Sequence, residues 1–113
     1  MNELRRRLLE LHKALVDVER DGTERARGRM TDGEFLKALI DDPAFAWLAP
    51  LTALIVRLDE IASDDVPRDL KSEIKRLLKP DDLGLAFQRR YHEILQKSPD
   101  ALVAHGAVMR LIS

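Results

Sequence analysis

The sequence predicts an all-α fold, a single compact bundle of five or six helices behind a long N-terminal helix, and three observations carry that expectation. Four of the five prolines, Pro43, Pro67, Pro80 and Pro99, stand where a helix would begin. Proline suits the first helical position because its missing N–H would have no partner there and its φ is already helical. Between these points apolar residues recur at steps of three and four, the period of one helix face. Five glycines and five aromatic residues in 113 positions are too few for the turns and strand-forming rings of a β-sandwich.

The first helix is expected over about Glu3 to Arg27. Leu4, Leu8, Leu11, Leu15 and Val18 form a seam, with Arg, Glu, Asp and Lys outside it. Gly22 continues that stripe, which favours a neighbouring helix approaching closely there. Gly28 then reads as the C-terminal stop. Thr31-Asp32-Gly33-Glu34 has the form of a capping box, and a short helix follows through Phe35, Leu36, Leu39 and Ile40. Pro43 to Ser63 is the most apolar segment. Pro50 in its middle removes a hydrogen bond and crowds the previous turn, so a kink or break is expected near Ala49. Beyond it Leu51, Leu54, Ile55, Leu58, Ile61 and Ala62 share one wide face, with Ala53 and Val56 on the opposite side.

Asp64-Asp65-Val66-Pro67 reads as a turn. The next helix carries Leu70, Ile74, Leu77 and Leu78, with Glu73 and Arg76 paired outside. Lys79-Pro80-Asp81-Asp82 interrupts the chain again, and a helix through Leu83, Phe87, Tyr91 and Ile94 follows, Gly84 weakening its first turn. Ser98 caps a final helix led by Pro99, with Ala101, Leu102, His105, Val108, Met109 and Ile112 facing inward. There is no internal repeat and no linker long enough to divide residues 1–113 into two domains.

Composition narrows the function. At 113 residues, folding removes roughly 65% of the unfolded chain's surface from water, enough for one core. Nineteen basic against twenty acidic residues, a net charge of −1, produce no global field toward nucleic acid or an anionic membrane. Without cysteine there is no disulfide framework, thiolate metal site or cysteine nucleophile. The N-terminus alternates Leu with Arg and Glu and so does not read as a signal peptide. No apolar run approaches the ~18 residues of a membrane span. The expected setting is the cytoplasm.

Chemical motifs are scarce. Neither paired Glu-x-x-His segments nor His-Glu-x-x-His occurs, so no metal or other cofactor is expected. The serines read as turn, cap, surface or terminal residues, and the dispersed glycines make no phosphate loop. Most acidic pairs sit at helix boundaries, where capping explains them, while Asp59-Glu60 lies within a helix with Arg57 in reach of Glu60. His92 falls on a solvated face and His12 at the edge of the first seam. His105 falls within the last helix's apolar stripe. There it is either a core histidine tied to a carbonyl or carboxylate, or, with Tyr91, part of a pocket for a small ligand or substrate.

Phe45, Trp47 and Leu48, between Pro43 and Pro50, form a dense apolar knot. The tryptophan anchors either the core or a contact with another protein. Together with Val56 these residues are the candidate interface. Arg5-Arg6-Arg7 and Arg25, Arg27 and Arg29 bracket the first helix and could grip phosphates. Interleaved carboxylates and the lack of neighbouring aromatics favour a salt-bridged surface instead. The leading reading is a non-catalytic module that binds another protein or itself, a homodimer being one form. A His105 pocket and weak nucleic-acid binding by the arginines are the alternatives.

The run Phe35-Leu36-Lys37-Ala38-Leu39-Ile40-Asp41-Asp42-Pro43-Ala44-Phe45-Ala46-Trp47-Leu48, with Pro50-Leu51 and Leu54-Ile55-Val56, resembles a family of small bacterial all-helical proteins of no known activity. Leu11-His12-Lys13-Ala14-Leu15 and Ala104-His105 fit the same resemblance. It implies a bacterial, cytoplasmic, helical protein. These are packing and turn motifs, so the resemblance carries no site residues.

Overall fold

Local signals set most helix boundaries. A computed structural model describes residues 3–61, 66–79 and 86–112. Helix α1 spans Glu3–Arg27 and ends at Gly28, whose φ of 93° lies in the left-handed region and whose N–H bonds the Glu24 carbonyl at 2.8 Å. Helix α2 spans Asp32–Asp41. Its capping box is complete: the Glu34 N–H donates to Thr31 Oγ1 at 3.2 Å, and the Thr31 N–H donates to the Glu34 carboxylate at 3.0 Å. Two side chains of α1 brace this connection. Arg20 reaches Asp32 and the Met30 carbonyl, both at 2.9 Å, and its guanidinium lies 5.1 Å from the centre of the Phe35 ring. Glu24 accepts from the Met30 N–H at 2.8 Å.

A 3₁₀ segment, Pro43–Leu48, follows, and helix α3 runs from Ala49 to Asp59 with Pro50 in its first turn. The break expected near Ala49 is therefore a change from tight 3₁₀ to α geometry, and the proline starts α3 instead of kinking it. Helix α4 is Arg68–Leu77, α5 Ala86–Lys97 and α6 Pro99–Ile112. Pro67, expected at the first helical position, is instead the N-cap residue, and α4 begins at Arg68. Pro99 is the first residue of α6, and Ser98 Oγ accepts from the Ala101 N–H at 3.1 Å. The turn residues Asp64 and Asp65, Ala62 and Ser63, and Pro80 to Gly84 lie outside the described residues. Among the described residues there is no strand.

Helix α1 is the spine, about 37 Å long at 1.5 Å per residue, and it accounts for most of the 43 Å long axis. Its most extensive packing is against α6, followed by α3. Leu8, Leu11 and Leu15 are fully buried where they meet Leu51, Leu58, Ile74, Leu78, Ile94 and Val108 in one continuous core. The seam fades toward the C-terminal end of α1. Val18 is only half-buried, and Gly22 is exposed, with nothing within 4 Å of where a Cβ would stand. The close approach expected at Gly22 does not occur, because the other helices pack against the N-terminal two-thirds of α1.

Two further expectations are corrected by packing. Leu102 is 53% exposed, and the buried residues of α6 are Ala101 and Val108. Ala101 and Val108 face inward as expected, and Leu102 alone of that stripe is exposed. Glu73 pairs not with Arg76 but with Arg57 of α3, which leaves Glu60 aside. Helices α3 and α4 pack directly on each other, and an ion pair across that contact displaces the local one.

Candidate functional site

The residues singled out from the sequence converge on a ladder of rings through the core. Trp47 in the 3₁₀ segment lies 5.4 Å from Phe87 of α5, Phe87 lies 5.4 Å from Tyr91 one turn on, and Tyr91 lies 5.5 Å from His105 of α6. Spacing of four on α5 puts Phe87 and Tyr91 on one face, and their rings stack. The ladder thus joins one end of the candidate interface to the candidate pocket.

Tyr91 is fully buried, and His105 is half-buried. The Tyr91 hydroxyl and His105 Nδ1 are 2.6 Å apart. Burial pushes the phenol pKa far above its ordinary value, so the hydroxyl keeps its proton and is no base. Among the described residues His105 Nδ1 is the one partner of that hydroxyl. The O–H therefore donates to Nδ1, which leaves the imidazole proton on Nε2. The partner of the core histidine is a phenol, neither a carbonyl nor a carboxylate. Neither residue lines the cleft between α1 and α6 or the one between α3 and α4.

Burial also lowers the His105 pKa below the ordinary 6.5, and it does the same to His12, whose Nε2 lies 3.1 Å from Thr52 Oγ1 of α3. His92 is half-buried, with Nε2 2.9 Å from the Gln96 amide nitrogen. The folded state prefers neutral imidazoles at His105 and His12, whereas the unfolded chain takes up protons near 6.5. Stability is then complete above that value and falls as pH drops through it toward the lower folded pKa values. We expect the melting temperature to be level near pH 7.5 and to decline between about pH 7 and 5. The His12→Gln/His105→Gln double variant is expected to flatten that decline in thermal melts followed by circular dichroism.

The candidate interface residues divide. Phe45 and Leu48 are buried, Phe45 meeting Phe35 of α2 edge to face at 5.6 Å. Trp47 is half-buried, and its indole Nε1 is sealed from solvent without a hydrogen-bond partner among the described residues. Val56 is 51% exposed on the outer side of α3. Other large apolar side chains also stand outside the core: Leu36 and Ile40 on α2, 59% and 76% exposed, and Val103 on α6, 70% exposed.

The basic residues show a contrast that sequence reading missed. Every Lys and Arg of α1 forms an ion pair: Arg5 with Asp59, Arg6 and Arg7 with Glu3, Lys13 with Asp17, Arg20 with Asp32, Arg25 with Asp21 and Arg27 with Asp42. Arg90 of α5 pairs with Glu19 of α1 as well. Of the arginines considered for a phosphate grip, those on α1 are paired with the chain's own carboxylates, while Arg29, beyond its end, is exposed and forms no ion pair among the described residues. On α4, by contrast, Arg68, Lys71, Lys75 and Arg76 form no ion pair among the described residues, nor does Lys79 beyond its end. The signal in the sequence was the row Arg68, Lys71, Lys75, Lys79 at helical spacing, with acids only at Asp69 and Glu73.

Among the described residues no group of three or more His, Asp or Glu is placed to hold a metal ion, and no single helix is long and apolar enough to cross a membrane. Comparison with protein-family models, curated proteins and solved structures finds no match to this chain.

Proposed function

We propose that this chain is a helical protein-contact module with no catalysis of its own, and that one of its contacts is with a second copy of itself. The observation that carries the reading is the apolar surface left over once the core is complete, chiefly Leu36 and Ile40 on one side of α2 and Val56 on α3. Exposed aliphatic residues at i and i+4 adjoin on the helix surface, and burying them against another apolar face is favourable. Of the four candidate interface residues, Val56 and Trp47 keep surface for such a contact, while Phe45 and Leu48 serve the interior. A bacterial cytoplasmic setting accords with this reading.

Ligand binding at His105 and Tyr91 has less support, because the phenol is sealed in the core. Nucleic-acid binding through α1 has less still, because its cations are neutralised.

Light scattering behind a sizing column at two protein concentrations tests the proposal. We expect a dimer mass at the higher concentration, a shift toward monomer on dilution, and monomer at both concentrations for Ile40→Glu or Val56→Glu with unchanged helicity. A wild-type chain that stays monomeric throughout would remove self-pairing.

A further inference from the structure

We propose that the groove between α3 and α4, with the cationic face of α4 beside it, docks an acidic amphipathic helix of a partner protein. The apolar side of that helix lies in the groove, and its carboxylates lie on Lys75, Arg76 and Lys79. The inference rests on charge and groove shape and is independent of whether the chain pairs with itself.

The groove has a volume of about 650 Å³. Its apolar wall comes from Pro50, Ala53 and Leu54 on α3 and Leu77 on α4, and Gln88 of α5, donating to the Arg76 carbonyl at 2.9 Å, adds a polar patch. The one carboxylate among the described lining residues, Glu73, is held by Arg57 at 2.5 Å, so Arg76 and Lys79 leave the rim positive. A smaller concavity on the outer side of α4 is lined by Ser72 and Lys75 together with the same Arg76 and Lys79. The two hollows therefore share a cationic ridge.

The needs of the helix do not account for this charge. Residues 68–79 hold five basic and two acidic side chains, while the whole chain carries −1. The helix dipole favours Lys75 and Arg76 near the C-terminal end, but it disfavours Arg68 and Lys71 in the first turn. Lys71, Lys75 and Lys79 follow one another at steps of four, where like charges repel. Helix α1 relieves the same problem with acids three or four residues away, as in Arg7–Glu10 and Lys13–Asp17, whereas Lys71 and Lys75 have no acid at either spacing. An anionic partner would meet Lys75, Arg76 and Lys79, which form no ion pair among the described residues.

The groove wall decides which anion. Nucleic acid would be gripped by phosphate contacts and base stacking, and no aromatic side chain lines either hollow among the described residues. A trough between two helices with aliphatic walls instead suits the Leu, Ile or Met anchors of a helix laid along it.

The test uses the full chain and three fluorescein-labelled amphipathic peptides of about 16 residues, long enough for four turns. All carry leucine at the same helical spacing, with glutamate, glutamine or lysine at the remaining positions. We expect fluorescence anisotropy to show the glutamate peptide binding at least about tenfold more tightly than the other two, a preference that weakens as salt rises. The K75E/R76E/K79E variant should invert it and favour the lysine peptide. Ala53→Trp, filling the groove from an exposed position, should weaken the glutamate peptide while circular dichroism stays unchanged. Failure of the glutamate peptide to bind, equal affinity for all three, or no inversion in the charge-reversed variant would overturn the proposal. So would tighter binding of a single-stranded oligonucleotide of equal charge.

Discussion

Replacing Tyr91 by alanine is expected to cost about 3–5 kcal/mol, the range for deleting a large buried aromatic side chain. Tyr91 is fully buried, stacks on Phe87 and bonds His105, so its loss opens a cavity among α5, α6 and the 3₁₀ segment and strands Nδ1. Against a total stability of about 5–15 kcal/mol, that loss leaves the domain marginal or unfolded at 37 °C. Tyr91→Phe separates the two contributions. It keeps the ring and removes only the hydroxyl, so about 1–2 kcal/mol is expected, for the lost hydrogen bond and the imidazole nitrogen left without its partner. Urea unfolding of both variants provides the check. A Phe variant as damaged as the Ala variant would mean that the hydrogen bond outweighs the packing, contrary to the ladder described above.

Leu11→Ala is the second large effect, at about 2.7–5 kcal/mol. Leu11 is fully buried in the middle of α1, where α3 and α6 both pack, and backbone held by helices on two sides cannot collapse into the vacated space. The comparison that gives the number meaning lies seven residues on. Val18 belongs to the same stripe but is half-buried, so Val18→Ala should cost under about 1 kcal/mol. Equal costs at the two positions would show that α1 is packed evenly along its length. The spent seam beyond Leu15 and the open surroundings of Gly22 argue against that.

The α2 part of the interaction reading and the α4 proposal draw on different surfaces and fail separately, whereas Val56 lies one turn from Ala53 of the groove wall. Charge reversal on α4 leaves Ile40 and Val56 untouched, so peptide binding can be lost while the solution mass is retained. Ile40→Glu does the converse. The two surfaces also differ in character. The outer side of α2 is aliphatic and would serve an apolar contact, whereas the α4 ridge is charged and would serve a selective, salt-sensitive one.

What was legible in the sequence depended on the range of the interaction concerned. The bounds of α1, the Gly28 stop, the Thr31–Glu34 box and the Pro99 start could all be read directly, because each is decided by groups within about one turn of each other. Much of the candidate site lies beyond that range. Tyr91 and His105 could be paired as candidates by their stripes, but the hydrogen bond between them needed α5 and α6 side by side, and the link through Phe87 to Trp47 needed the 3₁₀ segment against α5.

Local chemistry by itself determined where helices start and stop and that each carries an apolar face, since caps, proline φ and apolar period act within a single segment. The tertiary structure alone decided which part of each face is consumed. Apolar period fixes a stripe only to within a residue or so of rotation, and packing buries Ala101 while leaving Leu102 exposed. It also decided which charges are spent. Arg57 found Glu73 across a helix contact, α1 met its own and neighbouring carboxylates, and the cations of α4 form no ion pair among the described residues.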